Sequence, residues 1–222
     1  MRIKICGIQN EQELHTAVAA GADAVGFHVG QVHQSRSFIL PSTAARLVRE
    51  LPVCVTPVLV THYFDADEIR DLVDRTGITT IQLHNSSPEE AAALRDLLPV
   101  SGKIILARYL RPGRYDWALD DYLPLIDAVS LDAYNLDVAR IETDSADKMY
   151  QWAMAAEFIA SCPKTVLLAG GLSAENVGQA IGMTRPFGVD GCRLLKDPET
   201  GECAPEKCNA FVRNAREADF LL

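Results

Sequence analysis

The chemistry this sequence could perform sits where short apolar runs stop. Eight such runs each give way to a polar, titratable or glycine residue: Cys6, His28, Thr61-His62, Gln82-Leu83-His84, Arg108, Asp132, Gly170-Gly171 and Cys192-Arg193. A buried core has no use for this collection of groups, since an unpaired polar group taken out of water costs free energy. Each member also has a plain structural reading. A strand-end thiol can be small hydrophobic filler, an imidazole can be hydrogen-bonded scaffold, Asp132 can cap a loop, and Gly170-Gly171 can be a tight turn. The glycine pair could instead bring backbone N–H groups against an anion at the start of the helix expected from Ser173. His28, His62, His84 and Asp132 together could hold zinc or manganese, because imidazole and carboxylate suit both ions. That alternative implies a metal-dependent hydrolase or epimerase, although no paired-histidine motif accompanies it.

The elements that must position these groups follow from periodicity. The apolar runs are Ile3 to Cys6, Ala24 to His28, Val53 to Val60, Thr79 to Leu83, Lys103 to Ala107, Ala128 to Asp132, Thr165 to Ala169 and Phe187 to Gly191. Rich in Val and Ile, they read as strands of a parallel sheet buried on both faces. Amphipathic stretches alternate with them: Asn10 to Ala20, Ser42 to Glu50, Asp65 to Arg75, Ser87 to Leu98, a short weak one at Asp116 to Tyr122, Lys148 to Ala160, Ser173 to Ile181 and Pro205 to Arg216. Asp65 and Ser87 suit helix N-caps, Pro88 suits a first turn, and Gly21 suits a C-terminal stop. Eight strand–helix units in 222 residues predict one (β/α)8 TIM barrel spanning residues 1–222 as a single domain. The rival is an open doubly wound sheet, but Cys6-Gly7-Ile8-Gln9 lacks the glycine-rich turn that fold often carries after its first strand. In a closed barrel the strand-end residues converge on one face.

Composition narrows the partners. Thirty acidic against 21 Lys and Arg residues give a formal charge of −9, which disfavours nucleic acid and anionic membranes. The apolar runs are too short for a transmembrane helix, and Met1 to Gly7 does not read as a signal peptide. Six cysteines at 6, 54, 162, 192, 203 and 208 show no paired spacing. The expectation is a cytoplasmic protein with reduced thiols, monomeric or homodimeric.

The sequence resembles the phosphoribosylanthranilate isomerase family. Lys4-Ile5-Cys6-Gly7-Ile8 and Leu168-Ala169-Gly170-Gly171-Leu172 are the most specific motifs. Gly21-Ala22-Asp23-Ala24-Val25-Gly26-Phe27, Ser35-Arg36, Gln82-Leu83-His84, Ser130-Leu131-Asp132-Ala133, Glu175-Asn176-Val177 and Gly188-Val189-Asp190 extend the likeness along nearly the whole chain. The resemblance implies an Amadori rearrangement of an aminoaldose to a 1-amino-ketose in tryptophan biosynthesis, with a small phosphorylated sugar amine as substrate and no cofactor or metal. It implies Cys6 as general base and Asp132 as general acid. A thiol with a reference pKa of about 8.5 is a poor base at neutrality unless its surroundings stabilise thiolate. A carboxyl must conversely be kept protonated, which burial favours. Arg36 matches the residue that holds the anthranilate carboxylate, a planar anion suited to a guanidinium. His84, Gly170, Gly171 and Arg193 complete the expected substrate contacts.

Three departures stand out. Where the family carries Gly-Gly-Thr-Gly after the sixth strand, alignment on Tyr150-Gln151-Trp152 puts Asp144-Ser145-Ala146-Asp147. The family's Ser-Ser-Gly-Val-Glu after strand eight is replaced by Cys192-Arg193-Leu194-Leu195-Lys196. His28 and His62 are untypical of the ends of strands two and three. A phosphate would then rest on Gly170, Gly171 and Arg193, with Asp144 and Asp147 pointing away and Lys196, the weaker candidate cation, facing solvent.

Overall fold

A computed structural model describes residues 1–32, 36–110, 119–132 and 145–221, the side chains of 145–150 excepted. The chain alternates β1 (Arg2–Cys6), α1 (Glu11–Ala20), β2 (Ala24–His28), α2 (Pro41–Arg49), β3 (Thr56–Thr61), α3 (Ala66–Thr76), β4 (Thr80–His84), α4 (Pro88–Leu97), β5 (Lys103–Tyr109), β6 (Ala128–Asp132), α5 (Ser145–Ser161), β7 (Thr165–Ala169), α6 (Val177–Thr184), β8 (Gly188–Gly191) and α7 (Pro205–Phe220). All strand pairs are parallel and the sheet closes: Lys4 of β1 is in register with Ala24 of β2 on one side and Asp190 of β8 on the other. Closure excludes the open doubly wound sheet.

Local chemistry sets the helix starts. Asn10, Asp65 and Ser87 each accept the backbone N–H three residues on, satisfying a donor the helix itself cannot. At Ser87 the Glu90 carboxylate returns a bond to the Ser87 N–H at 2.7 Å, making a reciprocal cap.

Three expectations need correction. The third strand starts at Thr56 rather than Val53, because Cys54 takes a left-handed conformation (φ 75°) that turns the chain and leaves Val53 exposed. Helix α6 starts at Val177 rather than Ser173. The Ser173 N–H donates to Asn176 Oδ1 at 2.8 Å and Asn176 Nδ2 donates to the Gly171 carbonyl at 2.9 Å, a closed turn that holds the segment ahead of the helix. Residues 120–125 form turns, not the end of a helix; 111–118 lie outside the described residues.

The strands present two different faces. Ile3, Ile5, Phe27, Leu59, Ile81 and Leu83 point out and pack with helix residues such as Leu14, Leu47, Ile69 and Phe211 in the main core. The alternate positions point inward, where Cys6, Val58, Val60 and Ile105 form a separate small cluster. The inner face is therefore apolar at β3 and in the middle of β5, and polar at β1, β2, β4, β6 and β8, through Lys4 and Cys6, His28, Gln82 and His84, Ser130 and Asp132, and Asp190 with Cys192 just beyond it.

Candidate active site

Lys4 is the hub of the barrel interior. Its side chain is 2% exposed. Nζ donates to Asp190 Oδ2 at 2.6 Å, to Gln82 Oε1 at 2.8 Å and to Cys6 Sγ at 3.4 Å. One ammonium thus spans β1, β4 and β8. Burial by itself lowers a lysine pKa, but Asp190 and Cys6 outweigh it and hold Lys4 protonated. Burial pushes the Asp190 carboxyl up to about 7 against the pull of Lys4.

Cys6 ends β1 one turn of pleat above Lys4, on the same face. The Cys192 thiol donates to its sulfur, and this is the largest influence holding the Cys6 pKa well below that of an ordinary thiol; burial opposes it, while Lys4 and His28 assist. His28 Nε2 lies 3.2 Å from Cys6 Sγ. Asp132, at the end of β6, is shifted the other way. Burial raises its carboxyl to about 6, with the charges of Arg193 and Lys4 opposing. A thiol driven towards thiolate and a carboxyl driven towards the neutral acid share one barrel mouth, which is the division of labour that acid–base catalysis needs.

Space for the thiol comes from a neighbour on β2. A Cβ at Gly26 would sit 2.4 Å from Cys6 Sγ and 3.2 Å from Lys4 Cε. Gly26→Ala is expected to expel Sγ from its place beside Lys4, destabilising the fold by about 1–3 kcal/mol as overpacking does. Turnover should fall more than that loss of folded protein explains, as read by denaturant titration alongside kcat. Unchanged kcat would show that the Sγ position does not matter.

His84 has both ring nitrogens occupied. Lys4 can only donate, so the Gln82 oxygen faces Lys4 and its amide nitrogen faces His84 Nε2 at 3.2 Å. Nε2 is then the acceptor, and the proton sits on Nδ1, 2.5 Å from the Tyr109 hydroxyl. Burial first, then the neighbouring His62, His28 and Lys4, lowers the His84 pKa to about 3, so the ring is neutral. The His62 ring stacks on it at 4.5 Å.

The chain is similar to known proteins along nearly its whole length. The family model described as N-(5′-phosphoribosyl)anthranilate isomerase matches residues 3–191. The chain belongs to that family. A Methanosarcina mazei relative, N-(5′-phosphoribosyl)anthranilate isomerase 2, is 38% identical over 222 residues, covering 100% of this chain and 96% of its own length. A Natronomonas pharaonis isomerase of the same name is 33% identical, covering 95% of this chain and 96% of its own. The solved phosphoribosyl anthranilate isomerase of Thermotoga maritima superposes with a TM-score of 0.83 at 27% identity, over 98% of this chain and 99% of that one. Another solved isomerase, in complex with reduced 1-(o-carboxyphenylamino)-1-deoxyribulose 5-phosphate, gives 0.79 at 27%, over 98% and 99%.

Within this member of the phosphoribosylanthranilate isomerase family, the remaining expected residues fare unevenly. Arg36 lies in an exposed turn at the mouth, and its carbonyl accepts from Gln9 Nε2 at 2.7 Å, tying the loop after β2 to the loop after β1. Gly170 (φ 88°) and Gly171 (φ 63°) both use left-handed conformations that disfavour any side chain. Arg193 opens a single 3-10 turn, Arg193–Leu195, beyond β8, and its charge reaches Asp132.

Lys196 corrects the solvent-facing expectation. It is buried, and Nζ donates to the Gly7 carbonyl at 2.7 Å and to Glu13 Oε1 at 2.8 Å. Glu13 is itself fully buried and also accepts the Cys203 and Gln9 backbone N–H groups. The pair fixes the loop after Cys6, so Lys196 is scaffold and no phosphate ligand. Ser35 and Asp144 lie outside the described residues, as does the side chain of Asp147. Nor do His28, His62, His84 and Asp132 form a metal-holding group. Among the described residues the set with that geometry is Cys6, His28 and Cys192, and His84 is committed to Gln82 and Tyr109.

The sequence names Lys4, Gln82 and Asp190 within motifs without giving them a role, and Tyr109 not at all. The signal for the first three was a polar residue at every second position of otherwise apolar strands: Ile3-Lys4-Ile5-Cys6, Ile81-Gln82-Leu83-His84 and Val189-Asp190.

Proposed function

We propose that the chain isomerises N-(5′-phosphoribosyl)anthranilate to the corresponding 1-amino-1-deoxyketose by an Amadori rearrangement. The observation that carries this reading is the oppositely tuned pair, Cys6 and Asp132, at the mouth of a barrel of this family. Asp132 gives its proton to the ribose ring oxygen as the C1–O bond breaks, leaving a C1=N iminium. Cys6 takes the C2 proton, and that electron pair neutralises the iminium to an enolamine. Return of a proton to C1 with loss of the enol proton yields the ketose. Only protons move, so the scheme calls for no redox partner. The solved relative with a carboxyphenylamino-deoxyribulose phosphate bound supports an aryl carboxylate at one end of the ligand and a phosphate at the other. Arg36 would meet the carboxylate; Gly170, Gly171 and Arg193 would meet the phosphate.

Purified protein should convert N-(5′-phosphoribosyl)anthranilate to the ketose and restore growth of a tryptophan auxotroph lacking this isomerase. Absence of turnover on that compound, with conversion of another N-glycosylated amine, would replace the substrate and keep the reaction type.

Arg193 is expected to be the main phosphate cation. It is exposed beside the mouth, takes part in none of the ion pairs among the described residues, and follows β8, where barrels often bind phosphate. Arg193→Ala should raise KM for the phosphorylated substrate by about tenfold or more, since a charge-assisted hydrogen bond contributes about 1.5–3 kcal/mol. KM for an unphosphorylated analogue should hardly move. Equal losses on both would show that Arg193 does not read the phosphate.

A further inference from the structure

Three adjacent strands, β8, β1 and β2, each place a soft donor at the mouth: Cys192, Cys6 and His28. Their ligand atoms all lie within 4.8 Å of one another. Cys6 Sγ and His28 Nε2 are 3.2 Å apart. Cys192 and His28 both flank the same Cys6 sulfur.

We propose that Cys6, Cys192 and His28 form a binding site for a thiophilic divalent cation, zinc foremost, with a fourth position left open. Two thiolates and an imidazole are ligands that zinc prefers in tetrahedral sites. At zinc–sulfur and zinc–nitrogen distances of about 2.3 and 2.0–2.1 Å, tetrahedral ligands stand roughly 3.5–3.8 Å apart. The Cys6–His28 separation of 3.2 Å is a few tenths of an ångström short of that spacing, and Cys192 Sγ lies within 4.8 Å of both partner atoms. Coordination displaces the proton shared by the two thiols, and any second thiol proton, into solvent. The two thiolates cancel the ion's double charge. Two buried cations bear on the site: Lys4, 3.4 Å from Cys6 Sγ and offset by Asp190 at 2.6 Å, and Lys196, whose charge reaches Cys192 and is offset by Glu13 at 2.8 Å. His62 and His84 belong to strands further round the barrel, and His84 is held neutral and hydrogen-bonded. Gly7 carries no side chain to fill the space; a Cβ there would come within 3.2 Å of Cys192 Sγ.

A cation bound here occupies Cys6, so it would inhibit turnover reversibly. That consequence rests on the isomerase reading; the binding itself does not, and it is measured by spectrum. The folded protein, reduced with a phosphine and freed of metal, is titrated with Co²⁺. One equivalent per chain should produce sulfur-to-cobalt charge-transfer absorption together with the intense visible bands of a tetrahedral ion, and Zn²⁺ should bleach both. Cys192→Ser and His28→Gln should each weaken binding by at least about tenfold. His28→Cys should keep the site and strengthen the charge-transfer band, a gain that misfolding cannot mimic. Cys54→Ser and Cys162→Ser, at thiols distant in the fold, should leave the titration unchanged. The proposal is overturned if excess Co²⁺ gives no such band, if His28→Cys and Cys192→Ser leave the spectrum and affinity as they were, or if Cys54→Ser or Cys162→Ser abolishes it. A cobalt spectrum as expected with no isomerase activity would retain the site and refute the reading of function.

Discussion

Asp132→Asn is expected to lower kcat/KM on N-(5′-phosphoribosyl)anthranilate by about 10²–10⁴-fold, and at the same time to make the protein more stable at pH 8. The two effects have one cause. Burial raises the folded-state pKa of Asp132 to about 6, against about 3.9 in an unfolded chain. The folded state therefore holds this proton more tightly than the unfolded one. Its stabilising contribution is full below about pH 4 and is lost as pH rises through 6. Two pKa units at 1.36 kcal/mol each make the loss about 3 kcal/mol. Asparagine carries no charge to desolvate, so it escapes that loss. Denaturant midpoints should separate the variant from the parent at pH 8 and bring them together near pH 4. Asp190 titrates in the same direction and is itself raised by the Asp132 charge, so its contribution cancels only in part and the remainder has the same sign. Activity should show the matching sign. In metal-free buffer kcat/KM of the parent should decline above about pH 6 as the acid ionises, and the residual activity of Asp132→Asn should lack that limb. If Arg193 holds the phosphate, its pull on Asp132 weakens in the complex, and the limb of kcat should lie at higher pH than that of kcat/KM. A stability gap that is the same at pH 4 and pH 8 would show that Asp132 is not a buried acid.

Much of this arrangement is legible in the chain itself. The strands announce themselves because each apolar run is bounded by a cap, a glycine or a polar strand end, and the thiol and carboxyl fall at two of those ends. The misreadings have physical origins. Val53-Cys54-Val55 looks like strand to any hydrophobic pattern, yet the left-handed Cys54 breaks it, and a cysteine gives no warning of positive φ. Lys196 looks like a surface cation because its partner, Glu13, lies 183 residues away and is buried only by the closing of the barrel. Asn10 with Glu13 reads as an ordinary helix start, and nothing local says that the Glu13 carboxylate turns to meet a lysine from the other end of the chain. The sequence places His84 at a strand end but does not show that Gln82 and Tyr109 engage its two ring nitrogens; Tyr109 reaches it only because β5 runs two residues beyond its apolar core.

Lys4→Met is expected to be the most damaging substitution in the barrel interior. Methionine fills the volume but leaves Asp190 buried without its counter-ion, a loss of about 3–5 kcal/mol for a broken buried pair. It also strands the Gln82 oxygen, worth about 1–3 kcal/mol if no partner replaces Lys4. Asp190 has a way to limit the damage, since its carboxyl already lies near 7 and can take up a proton. The destabilisation should therefore be smallest in mild acid and grow as pH rises through neutrality, the sign expected of a carboxyl whose folded pKa is raised further. Asp190→Asn in the Lys4→Met background should recover much of the stability, because it removes the buried charge. Activity should not return with it. Without Lys4 nothing obliges the Gln82 oxygen to face β1, so the amide no longer fixes the His84 tautomer or the Tyr109 hydroxyl, and Cys6 loses an adjacent cation. Lys4 then acts as a positioning residue. The separation is measured by denaturant titration and kcat on the same three proteins. A double variant that regains stability and turnover together would reduce Lys4 to a counter-ion for Asp190. One that regains stability alone would show that the ammonium also orders the polar side of the barrel around Cys6.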